Sequence, residues 1–121
     1  MRHLVYGSAE SYAVGPVDVA RWEQYSLDGM LPFQAMWYSV RPASSSPRDC
    51  HPEVELSVVI SGTASVEAGG KVVDVAAGSA FLLDSEEAHV IHNRSAEQPL
   101  SVFSTYWMPL DTHPVSREEP Q

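Results

Sequence analysis

Asp49, His51, Glu53 and Glu55 occupy alternate positions of the stretch DCHPEVE, which runs straight into the apolar LSVVI. Carboxylates and imidazoles hold divalent cations and move protons, and charged side chains are seldom fully buried unless they are paired or bind something. In a strand, residues two apart share a face. That phase turns Asp49, His51, Glu53 and Glu55 one way and Val54, Leu56 and Val58 the other. A solvated sheet edge explains the run as well, so this cluster alone leaves both readings open.

A second cluster shifts the balance. EEAHVIHN puts His89 and Asn93 on one face of another expected strand, with Val90 and His92 on the opposite face. An inward imidazole there, facing an imidazole and a glutamate on the first strand, makes the two-His, one-carboxylate set. Such a set holds a divalent metal and leaves positions open for substrate or dioxygen.

The elements that must position these groups are short strands. PFQAMWYSV, ELSVVISG, TASVEAGG, KVVDVAAG, SAFLLD, AHVIHN and LSVFSTYWM are rich in β-branched and aromatic residues, and Gly, Pro, Ser, Asp or Asn bound them. Regular spacing of this kind predicts an antiparallel sandwich or barrel. EAGGK is an expected hairpin turn at Gly69 and Gly70, and AAGS a second turn at Gly78. VDVARWEQY fits a helix or a strand, RPASSSPRD is a polar loop, and the charged, proline-rich tail after Pro109 offers nothing to bury.

With 121 residues the chain forms one domain. Its net charge of −9 argues against a nucleic-acid backbone or an anionic membrane surface as partner. Cys50 is the single cysteine, which rules out an internal disulfide and suits a reducing cytosol. The opening MRHLVYGSAESYAVG lacks the apolar core of a signal peptide, and no apolar run reaches membrane-spanning length. A cytoplasmic protein is expected.

The two clusters also resemble the paired motifs of the cupin superfamily. Asp49-x-His51-x3-Glu55-x6-Gly62 is similar to the first motif: His-x-His, three or four residues, Glu, six residues, Gly. Pro52 sits where many small single-domain cupins carry proline. Gly78-x5-Asp84-x-Glu86-x2-His89-x3-Asn93 is similar to the second, Gly-x5-Pro-x-Gly-x2-His-x3-Asn. The resemblance implies an all-β fold, a small cupin β-barrel (double-stranded β-helix or jelly roll) of antiparallel strands. An extended N-terminal segment and a mobile C-terminal tail would flank it. The single domain, 1–121, would have its barrel core at 31–109 and its tail at 110–121. It further implies one divalent metal ion (Fe, Mn or Zn) inside the barrel, bound by His51, Glu55, His89 and the residue at position 49.

The chain departs from the pattern in places. Asp49 stands where the family usually has its first histidine, either as a fourth ligand or as an acceptor that orients a ligating imidazole. Asp84 and Glu86 replace the usual Pro and Gly, so DSEE precedes His89. That loop is either a solvated turn or a mouth that attracts a cationic, amino-acid-like substrate. Glu53 shares the ligands' parity but is read as a rim residue, because Glu55 fits the Gly62 spacing. Glu53 and Asp49 are the candidate general bases if they do not bind the ion.

Other residues are read more simply. His92 faces away from His89, and His3 and His113 lie near the termini. Cys50 is taken as a small packing residue. Phe33, Ala35 and Trp37 are expected on the inner face of their strand, with Tyr38 outside. Arg41 and Arg48 flank the polar loop, as solvated side chains or as a grip for a carboxylate.

The functional expectation is a metal-dependent cupin enzyme acting on a small polar metabolite in a biosynthetic tailoring step. The chemistry would be oxygenase, cyclase or isomerase, or bond-forming. The chain resembles polyketide cyclases, quercetinase-like dioxygenases and dimethylsulfoniopropionate lyases. A narrower option is the cupin unit of a hydrazine-forming enzyme. The alternatives are a non-catalytic cupin that binds a small ligand or supports a partner, and a β-sandwich with no site. A homodimer formed through an edge strand is expected.

Overall fold

Apolar residues at every second position build the strands of two facing sheets, because one side of each strand must leave water. The computed structural model describes residues 1–110. Its strands are β1 (Tyr12–Val14), β2 (Val17–Arg21), β3 (Gln34–Val40), β4 (Ser44–Ser45) and β5 (Val54–Ser61). They continue as β6 (Thr63–Ala68), β7 (Lys71–Ala76), β8 (Ala80–Leu83), β9 (His89–Asn93) and β10 (Leu100–Trp107). The six-stranded sheet runs β1-β2-β3-β10-β5-β8 and the four-stranded sheet β4-β9-β6-β7. Every pairing is antiparallel. Val19, Val40, Val59, Val66, Ile91 and Val102 belong to the apolar core. Among the described residues, no helix is long and apolar enough to cross a membrane.

Two glycine positions fix the path. β6 and β7 join through Gly69 and Gly70 at φ 59° and 75°, the paired left-handed conformation of a two-residue hairpin. Gly62, at φ 85°, turns the chain from β5 into β6, where a Cβ would meet the Pro99 carbonyl oxygen at 3.2 Å. The second motif's asparagine is a staple. Asn93 is 3% exposed; its Nδ2 donates to the carbonyls of Val40 and Gln98, and its Oδ1 accepts from the Ser95 amide.

Four expectations need correction. The sheet begins at β1 and β2, well before residue 31, because Val17 and Val19 alternate into the core. VDVARWEQY is strand up to Arg21 and then a 3₁₀ turn, Trp22–Tyr25. The phase of β3 is opposite to that expected: Met36, Tyr38 and Val40 face the core, and Phe33 precedes the strand. Trp37 instead packs outside, its ring centroid 5.1 Å from Trp22, 5.3 Å from Tyr6 and 5.4 Å from Phe103. Finally, the segment at 49–53 is not ladder. Pro52 has no amide proton to give, and β5 starts only at Val54. The expected tail lies outside the described residues beyond Leu110, as does His113.

Candidate metal centre

Residues 44–49 run antiparallel along β9, through the β4 pairing and then an isolated bridge at Asp49. In that bridge the Asp49 amide donates to the His89 carbonyl at 3.0 Å, and the His89 amide to the Asp49 carbonyl at 2.9 Å. The bridge sets Asp49 beside His89, and the turn toward β5 brings His51 over both. One ligand atom from each of Asp49, His51 and His89 lies within 4.8 Å of the other two. The two imidazoles meet edge to face, with centroids 5.1 Å apart.

The tautomers follow from the acceptors. His51 Nδ1 is 3.0 Å from the Glu53 main-chain oxygen, and His89 Nδ1 is 2.8 Å from that of Glu87. A carbonyl oxygen only accepts, so both Nδ1 atoms carry a proton, and in the neutral form of each ring Nε2 is the atom that keeps a lone pair. This is the orienting contact that ligating histidines commonly make. His89 is 5% exposed, so its ring reaches inward as the parity predicted.

Glu55 stands beside this trio. It is 6% exposed, and its Oε2 accepts from the hydroxyls of Ser57 and Ser104 at 3.0 and 2.9 Å. Its Oε1 lies 3.2 Å from His51 Nε2. Among the described residues no lysine or arginine makes an ion pair with it. A buried carboxylate calls for a positive charge beside it, which a protonated His51 or a cation held by both groups supplies. The donor set, two imidazole nitrogens and carboxylate oxygens, therefore fits a divalent ion of the Mn, Fe or Zn type.

Glu53 holds His51 through its main chain, while its own carboxylate is 3.7 Å from His51 Nδ1 and partly exposed. Tyr38 is 5% exposed, and its hydroxyl lies near Ser57 but makes no well-formed hydrogen bond among the described residues. Burial, reinforced by the Glu55 charge, raises its pKa well above the ordinary phenol value. The phenol therefore keeps its proton and can donate it to an acceptor.

Two cavities flank the centre. One, of about 310 Å³, is lined by Val17, Met36, Tyr38, Asp49, Glu55 and His89 among others. The other, about 280 Å³, is lined by Met36, Asp49, His51, Glu53, Glu55 and Tyr106 among others. Arg21 lines both.

The other candidates fall elsewhere. Asp84, Glu86 and Glu87 line neither cavity; Glu87 Oε1 instead accepts from the Asp84 amide at 3.0 Å. His92 faces away from the centre, between Ser45 Oγ and Glu67 Oε1. Cys50 is exposed rather than packed, and local desolvation with the Glu86 carboxylate raises its thiol pKa. Arg41 pairs with Asp18 at 2.9 Å, whereas Arg48 lines the larger cavity. Arg21 and Tyr38 were not singled out from sequence as site residues. No local spacing marks either, since both faces of β3 are apolar in sequence and Arg21 stands alone at the end of β2.

A two-sheet antiparallel barrel with histidine and carboxylate ligands gathered from one β-strand and its neighbouring turn defines the cupin class. The Cupin_2 family model, described as a cupin domain, matches residues 36–106, and the chain belongs to that family. No curated protein matches the chain. It is similar to a Cupin 2 conserved barrel domain protein from Salinispora arenicola, with 22% identity and a TM-score of 0.77 over 99% of this chain and 97% of that one. It is similar also to the plu4264 protein of Photorhabdus luminescens, at 22% identity and a TM-score of 0.75, covering 100% and 98%. The polyketide cyclase RemF of Streptomyces resistomycificus shares 17% identity and a TM-score of 0.74, covering 88% of this chain and 78% of that one. At these identities the likeness is one of fold.

Proposed function

We propose that this protein is a metal-dependent cupin enzyme that acts on a small polar metabolite in a biosynthetic tailoring step. The observation that carries the reading is the convergence of Asp49, His51 and His89, one ligand atom of each within 4.8 Å of the others, while main-chain carbonyls hold both Nδ1 atoms and leave Nε2 for an ion. His51, His89 and Asp49 would hold one divalent ion, with Glu55 as a further ligand or as the adjoining carboxylate. Bound there, the ion supplies Lewis-acid polarisation of a substrate oxygen or nitrogen.

The chain's own groups do the rest. Tyr38 offers a proton for a hydrogen bond from the cavity wall. Glu55 Oε1 is a proton acceptor fixed in place by two serines at its other oxygen. Glu53, at the rim of the smaller cavity, is the solvent-facing candidate base. Proton donors and acceptors around a polarising ion suit cyclisation or isomerisation of a small metabolite.

The test is elemental analysis of freshly purified protein beside His51→Ala and His89→Ala. About one equivalent of metal, lost in both variants, is expected; retention in both variants, or no metal in the wild type on reconstitution, removes the reading. We also propose that two copies pair, because β8 is a sheet edge and Leu56, Ile60 and Leu82 are exposed on β5 and β8. Light scattering that finds only monomer at high concentration would refute this.

A further inference from the structure

Arg21 ends β2 opposite Met36 and lines both cavities, together with Asp49 and Glu55. Two phenols hold its guanidinium. Nε donates to Tyr12 Oη at 2.6 Å, and Nη1 donates to Tyr106 Oη at 2.7 Å. Tyr12 comes from β1 and Tyr106 from β10, so the group is clamped between two strands of one sheet. Among the described residues no carboxylate forms an ion pair with it.

Arg21 is exposed, yet an arginine that serves solvation alone needs no such clamp. A guanidinium has five N–H donors, and two are spent here on neutral oxygens, with the Glu23 charge acting only from a distance. A charge fixed in advance loses little entropy on binding, and the guanidinium fork matches a carboxylate in two parallel hydrogen bonds. The chain carries a net charge of −9 and has 7 lysines and arginines in all, yet Arg21 and Arg48 both line the larger cavity. One side of that wall is apolar, with Val14, Val17, Val19, Met36 and Ile91, while Asp49, Glu55 and His89 gather at the metal centre. At about 310 Å³ the cavity lies at the small end of the range for ligand pockets.

We propose that this cavity takes a small amphiphilic carboxylate, its carboxyl received by Arg21 and its apolar body laid against Val17, Val19, Met36 and Ile91. The proposal builds on the metal-enzyme reading, since it puts the ligand in the cavity that Asp49 and His89 also line. It names the substrate class for that site. The cationic substrate that the acidic loop suggested becomes its direct competitor.

Three matched probes separate the two: 4-methylpentanoate, its amide, and 4-methylpentylamine. Their affinities are measured by calorimetry on metal-free protein and on protein carrying one equivalent of Zn²⁺. In both forms the carboxylate is expected to bind at least about tenfold tighter than the amide or the amine, the difference that one charge-assisted contact supplies. Arg21→Gln should abolish the preference and Arg21→Lys, which keeps the charge but loses the fork, should reduce it. Each variant is compared only where its amide NMR spectrum stays native, and Arg21→Lys serves if Arg21→Gln does not fold. Equal binding of the three probes, no binding of any at millimolar concentration, or a preference unchanged in the Arg21 variants overturns the proposal. Failure of Zn²⁺ to bind while the Arg21-dependent preference persists sinks the metal reading and leaves the carboxylate site standing.

Discussion

Glu55 Oε1 lies 3.2 Å from His51 Nε2, and the proton that would join them is on the far side of the ring, given to the Glu53 carbonyl. In the neutral ring, imidazole lone pair and carboxylate oxygen thus face each other across a part-buried gap. A divalent cation resolves that conflict, and so does an amide.

Glu55→Gln is therefore expected to act in opposite directions on the two forms of the protein. The new NH₂ would donate to His51 Nε2, and the remaining oxygen would keep accepting from Ser57 and Ser104. The metal-free variant should gain about 1 kcal/mol of stability, the usual net worth of a satisfied buried hydrogen bond. Its metal affinity should fall about tenfold or more, because a negative charge next to the ligands is gone. Thermal melts with chelator and with Zn²⁺ read both effects. A metal-free Glu55→Gln protein that melts below wild type would show that the gap is not a conflict.

His89→Ala should lower metal affinity on the order of 10- to 100-fold or more, and His92→Ala should leave it unchanged. Both histidines lie on β9, three residues apart, and the strand turns them to opposite faces. His92 links Ser45 to Glu67 on the outside, so its loss costs only those contacts. Competition with a chromogenic chelator gives the comparison. Equal losses at the two positions would mean the ion does not sit between the sheets.

The phase of β9 could be read from sequence because it has one polar purpose per face: His89 and Asn93 inward, His92 outward. β3 could not be phased that way. Both of its faces are apolar, since aromatic side chains from the 3₁₀ turn at Trp22 and from β10 cover Trp37 on the outside. Alternation therefore carries no direction there, and Tyr38 was put on the wrong side. Asp49 and His51 reach the site without a strand, through a bridge to β9 that no local pattern announces. Ser57, two residues after Glu55, shares its face by simple parity, but Ser104 reaches Glu55 only through the β5–β10 register. Arg21 belongs to the same class on one side, because Tyr12 is nine residues away in the β1–β2 hairpin but Tyr106 reaches it from β10, 85 residues on.

Glu86 stands where the family motif has glycine, and its φ is 62°. The turn keeps the backbone that glycine would give, since the Glu86 amide donates to the His51 carbonyl at 2.7 Å. Glu86→Gly should therefore stabilise the protein by about 1 kcal/mol, the lower end of the cost of a left-handed L-residue. Metal affinity should stay within about twofold, because the backbone anchor on His51 is retained and Glu86 is no ligand. Urea denaturation and metal titration measure the two quantities. A loss of stability in the glycine variant would show that the Glu86 side chain, and not only its amide, holds the turn.

The reverse holds at Gly62, where φ is 85° and a new Cβ would press on the Pro99 oxygen at 3.2 Å and Leu100 Cα at 3.3 Å. Both neighbours are backbone and give little. Gly62→Ala should cost about 2 kcal/mol or more, combining left-handed strain with the close contact. A denaturation midpoint unchanged from wild type would show that the β5–β6 turn can re-form elsewhere.

Tyr38 sets the last expectation, which concerns alkaline pH in the metal-free protein. Burial and then the Glu55 charge raise its folded-state pKa well above the ordinary phenol value of 10.0. The unfolded chain releases this proton near pH 10, while the folded chain still holds it, so the folded state binds more protons over that range. The stability associated with Tyr38 is thus complete below pH 10 and declines as pH rises from there toward the folded-state pKa. Tyr38→Phe removes that decline. It also removes a buried hydroxyl that has no partner among the described residues, so at neutral pH the variant should be at least as stable as wild type. Denaturation curves for both proteins across the alkaline range should draw further apart as pH climbs, with the Tyr38→Phe variant the more stable. Parallel curves would mean that the Tyr38 hydroxyl is not held away from water beside Glu55.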